Sequence, residues 1–247
     1  MALPSNIVGQ NNPTLPVDQG ILEQSTTQKT KLGTRLQVGE RVFYYAQASA
    51  SVGAGSVLSS IPSVASHQSG IFTIASATQG ARTISGTSSA NVVANLYAEG
   101  YFSVSTGANQ GHLYKIQGHN SGSAGMTFTL YDPIIASYGT GAGYALTPCP
   151  FKVNIGSSAL STPIGVAPID VTSGGYFWLQ TWGVANPIHV GASAAANALK
   201  LGTGGTMLAM YPQATDGPGL VGWAIAKNIN LAATAAECDP VWLTCIP

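Results

Sequence analysis

Few residues in this chain have types and spacings that could do chemistry. His112 and His119 bracket "HLYKIQGH", and two imidazoles are the beginning of a metal site. A spacing of seven puts them on opposite faces of one strand. Sharing an ion would need the chain to turn at Gly118, and no third ligand is evident. His67 and His189 are isolated. A glycosidase needs two carboxyls across a cleft, but Glu99, Asp170, Asp216 and Glu237 are scattered without a supporting motif. Asp132 in "LYDPI" and Asp239 in "CDPVW" each precede proline, which holds them out of the helical region and suits their carboxylates to turn hydrogen bonds. "GTGAG" (139–143) lacks the strand–turn–helix context of a nucleotide fingerprint and reads as a hairpin loop. No nucleophile elbow, zinc-protease helix, P-loop or paired C-x-x-C occurs. These residues point away from an enzyme and assign no catalytic, cofactor-binding or metal-binding residue. Cys149, Cys238 and Cys245 are odd in number. They read as reduced, partly buried thiols, as expected of a chain folded in a cytoplasm.

The composition narrows the partners. Only 7% of the 247 residues are Asp, Glu, Lys or Arg, against about 25% in an ordinary soluble domain, and the net charge is zero. Little repulsion then opposes contact between chains, so association is favoured. No basic run offers a footprint for nucleic acid. No stretch approaches 18 uninterrupted apolar residues, so no membrane span is implied. The start, "MALPSNIVGQNNP", lacks the basic and apolar regions of a signal peptide.

Positioning falls to β-structure. Seven of the eighteen charges lie in the first 41 residues, among Pro4, Pro13 and Pro16 and without periodicity. Residues 1–36 are therefore expected to form an extended arm. From there, 37–247 reads as a single β domain with inserted loops. "MTFTLY" (126–131) alternates apolar and polar residues with period two. Further strand candidates are 42–48, 71–75, 100–105, 112–117, 151–155, 206–211, 220–226 and 241–246, divided by Gly-, Ser-, Asn- and Pro-rich clusters such as 119–125 and 138–144. The pattern predicts an all-β fold, a multi-stranded antiparallel sandwich or barrel. Ala-rich "GASAAANALKLG" (191–202) is a helix candidate capped by Gly202, and equally a loop.

Aromatic residues concentrate in "YFWLQTWG" (176–183), four in eight positions. As a strand it points Tyr176, Trp178, Gln180 and Trp182 one way, and Phe177, Leu179 and Thr181 the other. Both faces are largely apolar, so neither is expected to lie free in water: one meets the domain core, the other a second sheet or a neighbouring subunit. The indole N–H groups need partners, and Gln180 is placed to supply one. A carbohydrate-stacking platform is the alternative. Arg35, Tyr176, Trp178 and Trp182 are the candidate assembly contacts.

The order of motifs resembles that of a family of tailed-bacteriophage virion proteins that decorate or cement the capsid. The matching stretches are "LQVGERVFYYAQASASVGAGSVL" (36–58), "NLYAEGYFSVSTGANQGHLYKIQGH" (95–119), "MTFTLYDPI" (126–134), "PIGVAPIDVTSGGYFWLQTWGVA" (163–185), "VGWAIA" (221–226) and "DPVWLTCIP" (239–247). The resemblance implies a non-enzymatic role on the outer capsid surface. It also implies a major capsid protein as partner and self-association, as a homotrimer. It supplies no catalytic residue. A phage-surface adhesin that stacks glycans on Tyr176, Trp178 and Trp182 is the rival expectation.

Overall fold

In the computed structural model the described residues are 19–64, 67, 72–88, 90–122, 125–155, 162–189, 198–201, 207–210, 220–224, 237–238 and 240–247. The fold is all-β. Eighteen strands occur among these residues: β1 Arg35–Val38, β2 Arg41–Ala48, β3 Val57–Ser60, β4 Phe72–Ser76, β5 Thr83–Ser88, β6 Tyr101–Val104, β7 Leu113–His119, β8 Met126–Leu130, β9 Gly143–Thr147, β10 Lys152–Ile155, β11 Pro163–Val166, β12 Tyr176–Ala185, β13 Ile188–His189, β14 Ala198–Leu201, β15 Met207–Met210, β16 Leu220–Ala224, β17 Glu237–Cys238 and β18 Val241–Thr244. Ala198–Leu201 of the helix candidate is thus a strand, paired with β15 and β16. The rest of that candidate lies outside the described residues.

Where one β domain with inserted loops was expected, the chain divides into two compact units. The first joins Met1–Ser60 to Pro150–Pro247, and the second is Ile61–Cys149. The insertion has a core of its own, which is why it is more than a loop.

In the first unit, β2, β10, β3, β11 and β12 pair in sequence, and β12 pairs back to β2, closing a ring. Ala46, Leu58, Val153, Ile164, Phe177 and Leu179 fill it, one or two from each strand. The ring is not purely antiparallel: β2 and β10 run parallel. On the other face of β3, β11 and β12, Val57, Val166 and Ala185 pack with Val241 and Leu243 of β18. From β18 the sheet continues through β16, β14, β15, β13 and β17.

Of the expected arm, residues 1–18 lie outside the described residues. From Gln19 onward the segment belongs to the first unit: Gln19, Ile21 and Leu32 are buried. Ser25 exchanges backbone hydrogen bonds with Tyr176 (2.9 and 2.8 Å), and β1 pairs with β2. The apolar side chains are few and unevenly spaced, which is why no periodicity announced them.

The second unit is a closed barrel in the order β4-β5-β8-β7-β6-β9. Ile84, Phe102, Ile116, Phe128 and Tyr144 fill it. Its mouths are closed by connections. β5 and β6 lie on opposite sides of the closed ring, so the segment between them spans a mouth, and it lays Val92 and Tyr97 into the core. At the opposite mouth the β8–β9 connection inserts Ile134 and Tyr138.

Unit two leaves and re-enters unit one at neighbouring points. The junction strands β3 and β10 are antiparallel partners, with Ser60 opposite Val153. The barrel's first and last strands are also partners, with Phe72 opposite Tyr144. Such an insertion stands in for a hairpin turn, so each unit has the connectivity to fold alone. Residues 61–149 expressed alone should unfold cooperatively in denaturant and show β-type circular dichroism. The chain with 61–149 replaced by a four-residue Gly/Asn turn should do the same. A disordered product in either case would show that the units depend on each other.

Candidate functional site

The aromatic strand is β12, and its register with β2 fixes where each side chain goes. Tyr176, Trp178 and Gln180 lie opposite Gln47, Tyr45 and Phe43; Phe177 and Leu179 lie opposite Ala46 and Tyr44. Up to Gln180 the expected alternation holds. There it breaks: Gln180 faces Phe43 and Trp182 faces Val42, so Thr181 is a bulge residue. Trp182 is turned to the face of Phe177 and Leu179, opposite the one expected. Gly183 accompanies the bulge at φ +84°, where a Cβ would come 2.6 Å from the Glu40 carbonyl oxygen, so glycine is required.

The four candidate contacts therefore do not form one surface. Trp178 is fully buried within the single chain. Its Nε1–H donates to the carbonyl oxygen of Gln19 (3.1 Å), not to Gln180. The Gln180 amide instead spans the bulge, donating to the carbonyl oxygens of Val184 (2.7 Å) and Trp182 (3.3 Å). Gln19 fastens the segment over the strand. Its Nε2 donates to the carbonyl oxygens of Tyr176 (2.9 Å) and Glu23 (2.8 Å), and its Oε1 accepts from the Tyr45 hydroxyl (2.8 Å). Tyr176 is half-buried and stacks on Tyr45 with ring planes 11° apart. Burial pushes its phenol above the ordinary range. Trp182 is half-buried and Arg35 is exposed. The rows Arg35–Tyr44–Leu179 and Gln37–Val42–Trp182 put Arg35 and Trp182 on the same face of the sheet. Sequence reasoning missed Gln19, and no pattern in the sequence marks it.

Thr181 is fully buried, and its Oγ1 donates to the carbonyl oxygen of Ile246 (2.6 Å). This ties the chain's last residues to the bulge, as does the Tyr44 hydroxyl on Pro247 (2.9 Å). Cys245 packs beside Val241 and Leu243, and burial pushes its thiol up to about 12. Cys149 is buried as well. Cys238 ends β17, and Cys245 directly follows β18.

The histidines of "HLYKIQGH" sit at opposite ends of β7, hence at opposite mouths of the barrel. His112 Nδ1 is 2.6 Å from the Tyr138 hydroxyl, and that hydroxyl is 2.6 Å from the Tyr114 hydroxyl. His119 is buried beside Tyr97. No group of three or more His, Cys, Asp or Glu suited to a metal occurs among the described residues. Glu99 is buried, pairs with Lys115 (3.1 Å) and accepts a short hydrogen bond from Tyr131. Desolvation first, and Glu99 second, push the Tyr131 phenol up to about 12. This carboxylate is held by an ion pair with Lys115 and a hydrogen bond from Tyr131. No helix among the described residues is long and apolar enough to cross a membrane. No protein-family model, curated protein or solved structure matches the chain.

Replacing Trp178 with Ala should cost about 3–5 kcal/mol in denaturant unfolding, the range for deleting a buried indole, while Arg35→Ala should stay within about 0.5 kcal/mol. Thr181→Ala should cost about 1–3 kcal/mol, because it leaves the Ile246 carbonyl unpaired. A Trp178 variant as stable as the Arg35 variant would refute the burial described above. With a thiol pKa near 12, Cys245 holds on the order of one thiolate in ten thousand at pH 8. Iodoacetamide should leave it unmodified in the native chain and alkylate it after denaturation.

Proposed function

We propose that this chain is a non-enzymatic structural protein of a tailed-bacteriophage virion that decorates and cements the outer surface of the capsid. The observation that carries the reading is the ordered set of motifs from 36–58 to 239–247, which runs through both units. The physical chemistry is compatible with it. Zero net charge at 7% charged residues favours association. Leu22, Val64, Val93, Leu113 and Ile135 stay exposed in the single chain. Strand β1 pairs only with β2 among the described residues, and a neighbour in a lattice covers such an edge. Its exposed Arg35 is then an assembly contact, with half-buried Trp182 on the same face.

The partners in this reading are the major capsid protein and other copies of the chain, as a homotrimer folded in the host cytoplasm before assembly. Neither nucleic acid nor membrane is called for, and no cofactor is needed. Cementing would add contacts that must break before capsomers separate, and many weak copies acting together would supply the affinity. The glycan-stacking alternative loses its central residue, because Trp178 is 0% exposed.

Native mass spectrometry at micromolar concentration should show a homo-oligomer, a trimer. The protein should also co-sediment with capsids stripped of decoration proteins, and Arg35→Glu should weaken that binding without unfolding the chain. A clean monomer that ignores capsids would overturn the proposal. Glycan binding that protects tryptophan from quenching would promote the adhesin.

A further inference from the structure

The mouth of the second unit's barrel crossed by residues 91–100 is held by a histidine, His119, whose hydrogen bonds fix where its proton sits. His119, at the end of β7, is buried. Its Nε2 is 3.1 Å from the backbone N of Tyr97, which can only donate, so Nε2 accepts. Its Nδ1 is 2.8 Å from the carbonyl oxygen of Asn120, which can only accept, so Nδ1 carries the hydrogen. His119 is neutral in this arrangement, and a second proton at Nε2 would set an N–H against the Tyr97 N–H. The same segment is tied to His119 twice more: Asn95 N–H donates to its carbonyl oxygen (3.2 Å), and Asn95 Oδ1 accepts from its N–H (3.0 Å). From the other side, His67 Nε2 lies 3.3 Å from the Asn91 carbonyl oxygen, and His67 Nδ1 lies 2.6 Å from the Tyr97 hydroxyl. Tyr97 is fully buried among the barrel's apolar side chains. Asn95 and Glu99, on either side of it, are held at φ 58° and 65°, a strained conformation that opening would relax.

We propose that residues 91–100 are an acid-released stopper of the barrel, with His119 as the latch. Around the latch stand the following groups. Tyr97 presents its ring, with its hydroxyl engaged by His67. β8 presents Phe128, and the nearby Glu99 and Lys115 pair with each other. Opening lets His119 take a proton that the closed state refuses, so the closed state binds fewer protons. Its stability is complete above the ordinary imidazole value of about 6.5 and falls as pH drops below it. The inference rests on the barrel alone and stands or falls apart from the capsid role.

Hydrogen exchange at the Tyr97 amide of the full chain tests it, compared at pH 7.5 and 5.0 after correction for intrinsic rates. The opening constant should rise by up to about tenfold per pH unit below the imidazole value, the slope for one proton. His119→Gln should flatten that dependence. Unchanged Tyr97 protection in the native chain, or the same slope in the Gln variant, would overturn the proposal. Should the variant not fold, nitrogen-15 spectroscopy of the native imidazole decides. His119 should be the Nδ1-protonated neutral tautomer at pH 7.5 and become imidazolium in step with the loss of protection. An imidazolium beneath an intact Tyr97 amide would rule the latch out.

Discussion

The pairing of β2 with β12 is the constraint on which the first unit depends. It closes the ring and joins residues 42–47 to 176–182, far apart in sequence. Closing so long a loop is entropically expensive and slow if the intervening chain is disordered. The barrel between them changes that. Its first and last strands are paired, and it is spliced between two strands that are themselves partners. Once the barrel has formed, the chain between Ser60 and Pro150 acts as a short connection, and β3, β10 and then β12 can be added locally. Gln19 completes the closure from outside, with two side-chain hydrogen bonds, to Tyr176 of β12 and Tyr45 of β2, and a main-chain carbonyl that accepts from Trp178 of β12.

Strands with one apolar and one polar face were legible. "MTFTLY" became β8 with the expected alternation of buried and half-buried residues. Among the strands not legible were short ones that carry glycine and lack a clear apolar alternation: "TISGTS" of β5, "GYALT" of β9 and "PIGV" of β11. In β11 the misleading glycine has a packing reason. A Cβ at Gly165 would lie 2.3 Å from the Gln180 carbonyl oxygen, so close strand approach, not a turn, demands glycine there. Period-two reasoning located the burial of Phe177, Trp178 and Leu179. It misplaced Trp182, because a single inserted residue flips every later side chain and period-two reasoning does not register it. The division into two units was hidden for another reason. Both are β-structure, and the Ser-rich run at the junction, "SSIPSVASHQSG" (59–70), looks like the other loop clusters that separate the strands.

A charge-poor chain must satisfy its buried polar groups mostly with neutral partners, and the second unit shows how. Each mouth of the barrel is stoppered by a tyrosine whose hydroxyl is 2.6 Å from a histidine Nδ1, Tyr97 with His67 and Tyr138 with His112. Desolvation pushes the Tyr97 phenol up to about 12 and that of Tyr138 higher still, so both hydroxyls keep their protons at physiological pH and remain donors. At the second mouth the donors line up: the Ile135 N–H meets the Tyr114 hydroxyl (3.2 Å), which meets Tyr138, which meets His112.

That arrangement makes the effect of acid local. The formal net charge is zero with the four histidines neutral, so their full protonation brings the chain only from zero to +4. Spread over 247 residues, four charges make weak general repulsion. Between neutral pH and the carboxylate range, sensitivity therefore comes from individual hydrogen bonds that reverse direction. His119 is the sharpest of these, since a backbone N–H cannot turn to become an acceptor. At His112 the partner is a hydroxyl, which can rotate and share the reversal with Tyr114. The two mouths are closed by similar pairs, yet only the one crossed by residues 91–100 sets a fixed donor against a titrating nitrogen.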